Sequence, residues 1–202
     1  MLAAPRPAPV AALGLGLGLR LGLGLGLAAC GNSTSGPASD AAVDAPTGFT
    51  LTSAAFVDGG AIPAAHTCSG ADSSPALAWT GAPADTKSFA VILTDVTLRP
   101  PLVHWVIYDI PATATGLPAN VAKDYAPTTV AGAHQTLAYD DATRGYRGPC
   151  PPAAHRYQFA VYPLLTIPLP GGQQATSRND AQSLITAHQL VAPATITGTF
   201  GP

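Results

Sequence analysis

Glutamate is missing from all 202 residues, so the eleven acidic residues are all aspartates. A zinc-protease His-Glu-x-x-His motif is therefore impossible, because its general base cannot be supplied. No Gly-x-Ser-x-Gly elbow, Ser-x-x-Lys pair or P-loop Gly-Lys occurs either, which removes the usual signatures of serine hydrolases and nucleotide-binding enzymes. Charge is scarce, at 10% of residues. Counted from Cys30, seven Lys or Arg stand against eleven Asp, a formal charge of −4 (7 − 11). Non-specific nucleic-acid binding needs a basic face that displaces phosphate counterions, and this chain offers none. There are three cysteines, Cys30, Cys68 and Cys150, and no Cys-Cys or His-His pair has the short spacing of a zinc site. Neither a metal nor a cofactor is expected.

What is present begins with Leu-Gly repeats over residues 13–27, broken by Arg20 and followed by Leu27-Ala28-Ala29-Cys30. A positive charge before a short apolar core reads as an export signal, residues 1–29. The tetrapeptide resembles the bacterial lipoprotein signal, which predicts cleavage after Ala29 and acylation of Cys30, palmitate included. The plainer readings are an ordinary signal peptide or a transmembrane anchor. The run falls short of the roughly 20 residues a bilayer span needs, and every second residue is glycine. Several acyl chains would anchor the protein stably to a membrane of the bacterial envelope, on its periplasmic face or the cell surface. Residues 30–47 are small and polar and predict a lipidated flexible tether. Residues 48–202 have the length of a single domain.

That domain is mostly β. Short, turn-bounded, often β-branched runs lie at 49–52, 77–79, 88–95, 104–110, 156–164 and 194–200, the pattern of an antiparallel β-sandwich with Greek-key links. Residues 179–190 are the exception: Asn179-Asp180 precedes good helix formers and Pro193 follows, which predicts one helix near the C-terminus.

The most informative stretch is Arg144-Gly145-Tyr146-Arg147-Gly148-Pro149-Cys150-Pro151-Pro152-Ala153-Ala154-His155-Arg156-Tyr157. Its glycines allow unusual backbone angles and its prolines fix φ, so the loop can hold one shape as the wall of a small anion pocket, with His155 at a strand mouth. The run 88–95 ends at Asp95, and the next begins at His104. Paired as a hairpin, they bring acid and imidazole to one rim. An acid beside a ring favours the ionised pair, and a protonated ring can donate to a phosphate-like oxygen. Equally, Asp95 could only cap the turn and His104 could be an ordinary strand residue. Tyr157, two residues from His155, shares its face and is either a ligand donor or a core aromatic. Arg156 points outward, to pair there or pin the loop. Trp79 and Trp105 read as core. Cys68 and Cys150 either close a disulfide in an oxidising compartment or remain buried thiols. His134 and His188 read as surface residues, and His66 as a neighbour of the site through Cys68.

His104-Trp105, Gly148-Pro149-Cys150-Pro151-Pro152 and His155-Arg156-Tyr157, with upstream Thr67-Cys68 and Ser74-Pro75-Ala76-Leu77-Ala78-Trp79, resemble the phosphatidylethanolamine-binding protein family, in its bacterial Raf kinase inhibitor-like branch. The resemblance covers roughly 49–200. It implies a large antiparallel sheet packed on a smaller one with short peripheral helices, and a ligand site at Asp95, His104, His155 and Tyr157, with Pro149 and Cys150 alongside. The family pattern Asp-Pro-Asp is here Asp95-Val96-Thr97, and Cys-Asp-Gly is Cys68-Ser69-Gly70, so the rim has lost negative charge. Three functions follow as expectations. The first is a non-catalytic, membrane-anchored protein holding a small anion or phospholipid head group. The second is an interaction module inhibiting an envelope protease or kinase-like partner. The third is a hydrolase using the same pocket.

Overall fold

The apolar runs 88–95 and 102–111 lack the polar alternation of a half-wet strand because neither of their faces is wet. In the computed structural model, which describes residues 48–202, the strands are β1 (Thr50–Ser53), β2 (Leu77–Thr80), β3 (Ser88–Asp95), β4 (Leu102–Pro111), β5 (Gly116–Leu117), β6 (His134–Gln135), β7 (His155–Leu164) and β8 (Ala194–Phe200). Among these residues there is one α-helix, α1 (Arg178–His188). The signal segment, Cys30 and the tether lie outside the described residues. A five-stranded antiparallel sheet, ordered β6-β4-β3-β7-β8, packs on a three-stranded one, β1-β2-β5.

Alternation along the central strands divides the core in two. Phe89, Val91 and Leu93 of β3, with Trp105 and Ile107 of β4, face the small sheet and meet Leu51, Leu77 and Trp79. Ala90 and Ile92, with Val106 and Tyr108, face the other way and are covered by Ala181 and Ile185 of α1. Trp79 and Trp105 are core residues, each with its indole N–H satisfied: Trp79 donates to the Ala114 carbonyl at 3.0 Å and Trp105 to Gln135 Oε1 at 2.7 Å. Among the described residues no helix is long and apolar enough to cross a membrane.

Two details differ from expectation. The helix is capped by Ser177, not at Asn179-Asp180: Ser177 Oγ accepts the Asp180 amide at 3.1 Å and donates to its carboxylate at 2.7 Å. It ends at His188, because Gln189 turns to extended backbone and Leu190 N donates to Pro163 O of β7. The strands β5 and β6 were not foreseen. Each is two residues long and exists only through its partner, β2 or β4.

Candidate functional site

Asp95 is the last residue of β3 and pairs in register with Leu102 of β4 and Tyr157 of β7. Counting by twos from Phe89, it continues the row that faces the small sheet. His155 and Tyr157 lie on the matching row of β7, so all three reach one rim. His104 is different. By strict alternation it would share the helix-facing row of Val106 and Tyr108. The ladder, however, passes from Leu93↔Trp105 to Thr94↔Val103 and skips His104. It is the extra residue of a β-bulge, and the bulge turns its ring toward Tyr157, 5.3 Å away edge-on.

The opening has a volume of about 310 Å³ and is lined by Asp95, His104, His155, Tyr157, Tyr139, Leu98, Leu102, Cys150, Pro151 and Pro152. The expected hairpin and shared rim are present, with two corrections. Asp95 takes its imidazole hydrogen bond from His155, Nδ1 to Oδ2 at 2.6 Å, and not from His104. His104 Nδ1 instead donates to the Arg147 carbonyl at 3.2 Å. Pro149 does not line the pocket. It is buried, its carbonyl accepts the Cys68 amide at 3.0 Å, and Pro151 and Pro152 form the wall. Tyr139 escaped the sequence reading, though its ring packs 4.2 Å from His104; no motif marks it, only its position.

Protonation follows from these partners. A carbonyl only accepts, so the proton of neutral His104 sits on Nδ1 and its Nε2 carries a lone pair. Burial pushes the His104 ring below its ordinary value of 6.5, against the opposing pull of carbonyls at Arg147 and Gly148 and of the Asp95 charge. Tyr157 is pushed well above its ordinary range, first by burial and then by the Asp95 charge, so its phenol keeps its proton as a donor. Tyr157 is thus both core residue, 1% exposed, and pocket wall. Among the described residues neither His104 Nε2 nor His155 Nε2 has a protein hydrogen-bond partner, so both are free for a ligand.

A stiff second layer holds this rim. Cys68 and Cys150 form a disulfide with Cα atoms 5.3 Å apart. Asp72 accepts from Gly148 N at 2.7 Å, Arg147 at 3.0 Å and Lys123 at 3.0 Å. Gly145 has φ +86, as expected of it, but Gly148 is required for closeness: a Cβ there would sit 2.3 Å from the His66 carbonyl. His66 also anchors the layer, its carbonyl accepting the Tyr146 hydroxyl at 2.6 Å. Thr97 does not present its hydroxyl as a free rim group. Its Oγ1 accepts Arg156 N at 2.8 Å, and its own N–H donates to Asp95 Oδ1 at 2.9 Å. Arg156 itself is exposed and outward-facing.

Of the histidines expected at the surface, His134 is half-buried, bonded to Asp109 at 3.1 Å and packed 4.6 Å from Tyr125. His188 lies in the last turn of α1, where Nδ1 donates to the Leu184 carbonyl. Among the described residues no three His, Cys, Asp or Glu side chains stand together as a metal site.

Residues 52–201 match the family model described as phosphatidylethanolamine-binding protein. A UPF0098 protein of Methanothermobacter thermautotrophicus is 44% identical over 117 residues, 56% of this chain and 74% of that one. A Mycobacterium tuberculosis protein named "Putative lipoprotein LppC" is 33% identical over 168 residues, 80% of this chain and 77% of its own length. The crystal structure of Escherichia coli YbcL, described as a new member of the mammalian PEBP family, superposes with a TM-score of 0.69 at 33% identity, over 76% of this chain and 98% of that one.

Proposed function

The chain belongs to the phosphatidylethanolamine-binding protein family, and from that footing we propose that its pocket holds a phosphate oxyanion or phosphorylated head group without covalent chemistry. One observation carries the reading. Two imidazoles have their Nδ1 atoms committed inward, to Arg147 and Asp95, which leaves both Nε2 atoms for a single small opening, beside the Tyr157 phenol whose hydroxyl is drawn to the Asp95 carboxylate. Protonated rings and a phenol are donors suited to phosphate oxygens. The volume suits a head group and little more. A binding role is also favoured by the lining, which contains no serine, threonine or lysine, and whose cysteine is held in the disulfide. The Lys-poor rim and the Asp95 charge favour a ligand with an amine beside its phosphate. Acylation at Cys30 would place the domain on the bacterial envelope, and the lipoprotein name of one relative supports that placement.

Titration calorimetry of O-phosphoethanolamine into the detergent-solubilised full chain tests the site. Binding heat is expected from the native protein and none from His104→Ala. Undiminished binding by the variant would reject this pocket. Neutral His104 is an acceptor, so an oxyanion is held best once the ring takes up a proton, and affinity should rise from pH 7.5 to pH 5.5.

A further inference from the structure

The pocket lies where β3 ends and β7 begins; the opposite end of the sandwich is a different surface. There β3 starts at Ser88, which pairs with Leu164 at the end of β7 and Pro111 at the end of β4. The segments 81–87, 111–115, 165–168 and 189–193 form this end, and Asp85 and Lys87, of opposite sign, are the only charged residues in them. Three of the five large apolar side chains exposed among the described residues belong to it: Leu165 at 50%, Ile167 at 52% and Val191 at 42%. Leu165 N donates to His188 O and Leu190 N to Pro163 O, which ties the two apolar segments together.

The same end receives the N-terminal chain. Thr50 pairs with Thr80, Gly48 lies against Gly81, and Phe49 stacks on Phe89 at 6.2 Å. Seventeen residues separate Cys30 from Gly48, a span of at most about 60 Å. We infer that this end is a lipid-docking face: with Cys30 acylated, Leu165, Ile167 and Val191 settle into the bilayer interface and the pocket is held on the far side, directed away from the membrane. The inference rests on the proposed lipid anchor. An apolar end of zero net charge, at the point where an anchored chain enters, suits a neutral lipid interface, where amphipathic surfaces gain from apolar burial and not from basic charge.

The test uses the lipidated full chain in phosphatidylcholine vesicles containing bromine-labelled acyl chains, with tryptophan placed at either end and native emission subtracted. Ile167→Trp should be quenched at least about threefold more than Leu98→Trp, which sits at the pocket. Equal quenching of both in protein that floats with the vesicles overturns docking and leaves anchoring intact. Protein that does not float overturns both readings. A blue-shifted but unquenched Ile167→Trp with a dimer mass overturns docking in favour of a second copy.

Discussion

Asp95 closes β3 and Ser88 opens it, roughly 23 Å apart along eight residues, and the two ends of this one strand sit in opposite chemistry. Around Asp95 stand Asp72, Asp140, Arg147 and the two pocket histidines, bound into hydrogen-bonded networks and stapled by the disulfide. Around Ser88 stand proline, alanine and exposed aliphatic side chains, and the polar Ser88 hydroxyl is satisfied by one carbonyl, that of Thr166 at 2.6 Å. Burial is similar on the strand itself, so the core does not make the difference. It lies in the loops, which at one end fix polar groups at set distances and at the other only cover the strand ends. A site that must hold donors in place needs the first kind of loop; a surface that meets lipid needs the second.

The comparison is broken most severely by removing the staple. The disulfide joins residues 82 apart in sequence, and closing such a loop stabilises by about 4 to 5 kcal/mol in the chain-entropy account. The Cys68→Ser/Cys150→Ser double variant should lose about that much in denaturant unfolding, and phosphoethanolamine binding should weaken with it. Gly148→Ala comes next: its Cβ would meet the His66 carbonyl, and forcing backbone apart in a packed layer costs about 1 to 3 kcal/mol. The loss should appear as a lower denaturant midpoint with an unchanged m-value.

A third variant sharpens the contrast through pH. The native state holds His104 below 6.5, so above that pH both folded and unfolded chains carry a neutral ring and nothing is lost. As pH falls below 6.5, the unfolded chain binds a proton that the folded one resists, and stability declines. His104→Asn should flatten that decline relative to the native protein between pH 6.5 and 5, read from urea midpoints. The smallest effect belongs to the opposite end: Ile167→Ser, at an exposed position, should change stability by no more than about 0.5 kcal/mol, while lowering the bilayer preference of that end.

How far the chain could be read from its residues differs by element. The run 88–95 is legible because burial on both faces demands unbroken apolar sequence, and 156–164 because its larger apolar residues alternate at 157, 159 and 161; the observed β3 and β7 begin or end within a residue of expectation. Asp95, His155 and Tyr157 could be assembled at one rim because strand alternation and a hairpin are local rules. His104 reached it by a different route, a bulge that no residue type announces. The partners inside the rim are not legible for the same reason: Asp95 is sixty residues from His155 and nine from His104, and nearness in sequence favours the ring that does not meet the carboxylate. Tyr139 and the two-residue strands depend wholly on what lies opposite them.

Composition and pattern alone thus determined that the described domain is a β-sandwich with a C-terminal helix, that its core lies between apolar strands, and that titratable groups collect where those strands stop, since these follow from solvation and from period-two geometry. Only the tertiary structure decided which imidazole meets the carboxylate, that Cys68 and Cys150 are joined, that Pro149 faces inward, and that the chain enters at the end opposite the pocket. Each of those depends on contacts between distant segments, where distance in space is set by the packing of the whole sandwich and leaves no mark on neighbouring residues.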